Sequence, residues 1–146
     1  MITVQSPHPT VQELAGKAEP KKLYRVLVTG SRKAKDGGLV SDMIRNLSGV
    51  HYPDIVVLLG AAKGVDWLAE EWAVEEGIKV ELFPANWKKF GKGAGGIRNQ
   101  QMVDSGADIC IAFPLEGSIG TYDCIRRAKA AGINVVEIPA SAHGWT

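Results

Sequence analysis

Small residues, arginines and lysines gather at four places where the chain turns, and each group is suited to holding an oxyanion. The stretch "VTGSR" supplies Gly30, Ser31 and Arg32. A glycine lets backbone N–H groups approach an anion, a hydroxyl donates, and a guanidinium grips phosphate oxygens as a fork. "GAAKGVD" brings Gly60, Lys63, Gly64 and Asp66 to the start of a helix, where unpaired N–H groups and the dipole favour negative charge. Asp66 there is either a cap for the helix or a hydrogen-bond acceptor for ribose hydroxyls. "PLEGSIGT" sets Gly117, Ser118, Gly120 and Thr121 before another helix, the same cradle in form. The fourth group, "GKGAGGIRNQ" over 91–100, carries four glycines with Lys92, Arg98, Asn99 and Gln100, just after Trp87, whose indole is suited to stacking on a base.

None of these is diagnostic alone. A glycine before a helix often serves only to turn the chain. Neither GxxxxGK[ST] nor GxGxxG occurs, so a P-loop or a dinucleotide fingerprint does not explain the glycines. Arg126 and Arg127 either line the site or decorate a solvated helix face, the commoner role for such residues.

The elements that must position these groups alternate in type. Apolar runs at 23–30, 54–60, 78–85, 107–114 and 133–139 read as strands. Between them lie helical patterns: Val40, Met43, Ile44 and Leu47 form one stripe, and Val65, Leu68, Ala69, Trp72 and Ala73 another. Further helices are expected over 97–106 and 120–132. Such alternation implies parallel pairing through right-handed crossovers. The expected fold is α/β, a Rossmann-like three-layer α/β/α sandwich with a mainly parallel five-stranded sheet, and all four groups then lie at the carboxyl ends of strands, where open sheets bind ligands. The glycine-rich stretch that follows the third strand is expected as a long loop acting as a lid, delivering Ile97, Arg98, Asn99 and Gln100 to the start of the next helix. Residues 1–22, with three prolines and little periodicity, are expected as a flexible tail, and 23–146 as a single domain.

The totals narrow the partners. Seventeen Lys and Arg face sixteen Asp and Glu in 146 residues, so no bulk attraction to nucleic acid is expected. No apolar run is long enough to span a bilayer, and no metal site is expected, since Cys110 and Cys124 lack metal-ligand spacing. A reduced, cytoplasmic setting fits these features.

Taken in order, "VLVTGSR", "GAAKGVDWLAEEWA", "FPANWKKFGKGAGGIRNQQMVDSGADICIAFP" and "GTYDCIRRAKAAGI" resemble the YspA-related branch of the SLOG superfamily, found in bacteria and bacteriophages. The resemblance spans about residues 24–138. It implies a Rossmann-like fold akin to the lonely guy phosphoribohydrolases and to sensors of NAD-derived nucleotides. The ligand it implies is a nucleotide-like small molecule, a nucleotide or an NAD-derived one, bound at the strand ends, and it also implies a homo-oligomer. Where the family usually reads Gly-Gly-Ala-Arg-Gly-Ala-Asp, this chain has Ala61 for a glycine and Lys63 for the arginine. Leu115 and Glu116 also interrupt its usual Pro-Gly-Gly run.

Two functions follow as expectations: a binding protein that senses, carries or sequesters the ligand, or a hydrolase of the N-glycosidic bond of a nucleoside monophosphate. For the hydrolase the resemblance implies Arg98 as the catalytic arginine, and because Cys124 stands at the position of the family's glutamate, Asp123 or Asp66 would supply the carboxylate.

Overall fold

The computed structural model describes residues 22–145. The expected tail therefore lies, apart from Lys22, outside the described residues. Five strands form one sheet: β1 (Tyr24–Gly30), β2 (Ile55–Leu59), β3 (Lys79–Leu82), β4 (Ile109–Phe113) and β5 (Asn134–Glu137). Their order is β3-β2-β1-β4-β5 and every pairing is parallel. The three central strands carry continuous apolar runs because both faces of the sheet are covered.

The alternation of side chains along β1 sorts them into two cores. Val26 and Val28 join Val57, Leu59, Ile111 and Phe113 on one face. Helices α1 (Gly37–Ser48) and α2 (Val65–Glu75) cover that face with Val40, Ile44, Val65, Ala69 and Ala73, all fully buried. Leu27 points the other way, toward Val56, Leu58 and Cys110. That face is covered by α4 (Ala94–Asp104), through Met102 and Val103, and by α5 (Ile119–Ala130), through Cys124 and Ala128. Asp36 starts α1 by accepting the Gly38 and Leu39 N–H groups at 2.9 and 3.3 Å.

The expected lid is not a loop. A single helical turn, α3 (Trp87–Phe90), is followed by a 3-10 turn at Gly91–Gly93, and α4 begins at Ala94 rather than at Ile97. Asn86 caps the turn by accepting the Lys89 N–H at 3.1 Å, and Ala94, 1 % exposed, anchors the helix start. Glycine is a poor helix former, but close packing overrides that preference here. A Cβ on Gly95 would come within 3.3 Å of the Trp87 ring, and one on Gly96 within 3.0 Å of the Arg127 guanidinium.

Candidate functional site

The sheet order reverses between β1 and β4, whose ends run side by side to the pair Gly30 and Phe113. At those carboxyl ends lies a cleft of about 1060 Å³. A crevice at this switch point is where open parallel sheets hold ligands. Thr29 and Gly30 form its floor. Gly30 has to be bare, because a Cβ there would lie 2.5 Å from Val65 Cγ2 and 3.0 Å from Phe113 Cβ.

The loop after β1 is held by the main chain of Ser31. Its N–H donates to the Phe113 carbonyl at 3.1 Å, and its carbonyl accepts from Val65 N–H at 3.1 Å. Its hydroxyl accepts from Lys33 N–H at 3.0 Å. Ser31 is thereby buried, while Arg32 and Lys33 stand exposed on the cleft wall.

The loop after β2 divides the residues expected from the sequence into two groups. Asp66 lines the cleft, is 7 % exposed, and accepts the Gly60 and Ala62 N–H groups at 3.1 and 3.3 Å, both on Oδ2. Burial pushes this carboxyl up to about 6, against the Ala62 hydrogen bond, the Arg98 charge, the Gly60 hydrogen bond and the Arg32 charge. Gly60, Lys63 and Gly64 do not line the cleft. Gly60 makes room for Arg98, since a Cβ would fall 2.7 Å from its Cζ. Gly64, at φ +77°, passes so close to the loop after β1 that a Cβ would meet the Arg32 backbone at 2.6 Å. Lys63 is exposed away from the cleft.

Helix α4 contributes Arg98 and Asn99 from its buried side. The Arg98 guanidinium donates to the Gly60 carbonyl and, at 2.9 Å, to Asn99 Oδ1. Asn99 Nδ2 in turn donates to the Gly120 carbonyl at 3.1 Å and to Asp123 Oδ2 at 3.0 Å. Lys92 and Trp87 lie at the rim, and Trp87 is half exposed.

The turn into α5 leaves donors free. Ser118 makes no side-chain cap bond, because its hydroxyl accepts from Leu115 N–H at 3.2 Å. Ile119 N–H is taken by the Gly117 carbonyl at 2.9 Å. The next first-turn N–H groups, of Gly120 and Thr121, have no acceptor within the helix, and both residues line the cleft with Gly117 and Ser118. Glu116, exposed, also stands on the rim.

Asp123 is heavily engaged. Arg127 Nε at 2.8 Å and Asn99 share Oδ2, while Arg126 donates to Oδ1 at 3.0 Å. Burial raises this carboxyl, but the Arg127 and Asn99 hydrogen bonds with the two arginine charges outweigh it and hold it below the usual range. Arg126 and Arg127 thus line the cleft, the less common of the two roles the sequence left open for them. The i, i+3 and i, i+4 spacing of Asp123 with these arginines was the available signal. Cys124 points into the core at 0 % exposure, and the hydrogen bond the Cys110 thiol makes to it, with burial, pushes the Cys110 thiol up. Among the described residues no three His, Cys, Asp or Glu side chains gather as metal ligands, and no helix is long and apolar enough to cross a membrane.

Comparisons with known proteins agree with this architecture. The profile of the YspA, cpYpsA-related SLOG family matches residues 24–90. The Gene 61 protein of Mycobacterium phage D29 is 45 % identical over 119 residues, covering 78 % of this chain and 95 % of that protein. Among solved structures, DNA processing protein A (DprA) from Streptococcus pneumoniae superposes with a TM-score of 0.65 at 21 % identity. That match covers 80 % of this chain and 50 % of that one, and it is a likeness of fold.

Proposed function

The chain belongs to the YspA, cpYpsA-related SLOG family, and on that premise we propose that its cleft binds a nucleotide or nucleotide-derived phosphorylated ligand, as a sensor, carrier or sequestering protein. The observation that carries this reading is the pair of uncommitted N–H groups at Gly120 and Thr121, opening onto the same cleft as Arg32, Lys92 and Arg98. Helix N-terminal N–H groups with nearby guanidinium and ammonium groups form an anion site without further devices. In this reading Ser31 and Asn99 order the phosphate side, Asp66 accepts from ribose hydroxyls through Oδ1, and the exposed part of the Trp87 indole stacks on the base. Differential scanning fluorimetry with a nucleotide panel, and mass spectrometry of any small molecule released on denaturation, test it. A phosphorylated compound released, or a melting shift with one nucleotide class, is expected; neither signal overturns the reading.

One observation favours a second reading, hydrolysis of an N-glycosidic bond: Asp66, at about 6, is a cleft carboxyl able to exchange a proton near neutral pH. Water would add to the anomeric carbon as the bond to the base breaks, with Asp66 taking the water proton and passing it to the leaving nitrogen of the base, and Arg98 holding the phosphate. Asp123 suits this less well, since three donors occupy its two oxygens. Release of free base that is lost in both Asp66→Asn and Arg98→Ala would support hydrolysis; tight binding without release would leave the binding reading alone. Exposed Trp67 and Val74 on α2 support an accompanying proposal of a homo-oligomer, which a monomer mass in light scattering would overturn.

A further inference from the structure

Beside the main cleft, on the side of α4 and α5, lies a second hollow of about 410 Å³. Gln100, Asp123, Arg126 and Arg127 line both spaces, so the two are joined across a common wall. That wall has a net positive charge, with two guanidiniums against one carboxylate. Asp123 fixes them at 3.0 and 2.8 Å without covering them: the Arg126 side chain is 70 % exposed and that of Arg127 35 %. Arg127 Nη1 is steadied by Gln100 Oε1 at 3.0 Å, while its Nη2 lies over Gly96, where any side chain would crowd it. The main cleft alone is at the top of the range of about 300–1,000 Å³ usual for small-ligand sites, and a mononucleotide would leave the wall and the hollow beyond it unused.

We infer that the site takes a dinucleotide, one unit seated in the main cleft and the second reaching the hollow, with the linking phosphate against Arg126 and Arg127. The inference rests on the nucleotide reading above and adds the class of ligand. A guanidinium pair held by a shared carboxylate presents N–H groups toward a phosphate with little ordering cost, and the single net charge suits a monoanionic linkage.

Isothermal titration of the full chain with adenosine monophosphate, a 5′-phosphorylated adenylyl-adenosine phosphodiester and pyrophosphate-linked diadenosine tests this and separates the two linkages. At least one dinucleotide should bind about tenfold or more tighter than the monophosphate, a difference of about 1.4 kcal/mol. In Arg126→Ala/Arg127→Gln the ratio of the two affinities should fall toward one. Arg126→Ala alone, which keeps the Asp123 to Arg127 pair, should lower the ratio in part and guards against misfolding of the double variant. A ratio near one in the unsubstituted protein, or a ratio unaltered in both variants, overturns the inference while leaving nucleotide binding intact. Absence of binding by all three probes overturns the nucleotide reading and this inference with it.

Discussion

Replacing Asp66 by asparagine should stabilise the protein at neutral pH and, on the proposed reading, weaken nucleotide binding. The carboxyl is raised from 3.8 to about 6 in the folded state. Each unit corresponds to about 1.4 kcal/mol, so keeping Asp66 ionised in its buried position costs about 3 kcal/mol. The sign follows from proton counting. Between about 4 and about 6 the folded protein holds the Asp66 proton and the unfolded chain does not, so this residue makes stability fall as pH rises through that window and level off above it. Asp123 and Glu81, both held low, the latter by its hydrogen bond with Arg25, act oppositely and at more acid pH, where their contribution is lost. Asparagine keeps an oxygen for the Gly60 and Ala62 N–H groups but carries no charge. The stability difference between Asp66→Asn and the unsubstituted protein, measured by urea denaturation at several pH values, should therefore be near zero at pH 4 and grow to about 3 kcal/mol in favour of the variant at pH 7. For a domain of this size that is on the order of 10 °C in melting temperature. A variant less stable than the unsubstituted protein at pH 7 would refute the reasoning, because it would mean that the Arg98 and Arg32 charges and the two N–H groups outweigh burial.

Three further outcomes are expected. Ala61 holds a left-handed backbone at φ +57°, so Ala61→Gly should gain about 1 kcal/mol in chemical denaturation. Gly64→Ala, at positive φ and against the Arg32 backbone, should lose more than about 2 kcal/mol and lower the melting temperature accordingly. Cys110 and Cys124, both fully buried, should stay unreactive to a thiol reagent in the native state and react together after denaturation, followed by absorbance of the released chromophore.

Much of the fold was legible because it rests on periodicity. Val26, Leu27 and Val28 lie in an unbroken apolar run because both sheet faces are covered, and the stripe from Val65 to Ala73 faces the core as its spacing predicts. The helix from Ala94 was hidden by its glycines, whose tolerance depends on Trp87 and Arg127 arriving from elsewhere in the chain. Local propensity carries no trace of such partners. At the site, chemistry types were legible but division of labour was not. Gly60 and Gly64 resemble Gly117 and Gly120 in sequence, yet the first pair clears space for Arg98 and for the loop after β1, and the second borders the cleft. The pairing of Arg127 with Asp123 was legible in their i, i+4 spacing, but its place on the cleft wall was not, because that also depends on Gln100 of the neighbouring helix.

The helical path from Trp87 to Asp104 has a kinetic consequence. A glycine-rich segment that ordered only around its ligand would surrender about 1–2 kcal/mol of backbone entropy per residue at the moment of capture. Here that entropy has already been lost on folding, so under the proposed binding reading the wall carrying Lys92 and Arg98 is ordered before a ligand arrives. Capture should then be a single encounter step, its observed rate rising linearly with ligand concentration without a plateau, and discrimination between ligands should reside in how long each one stays.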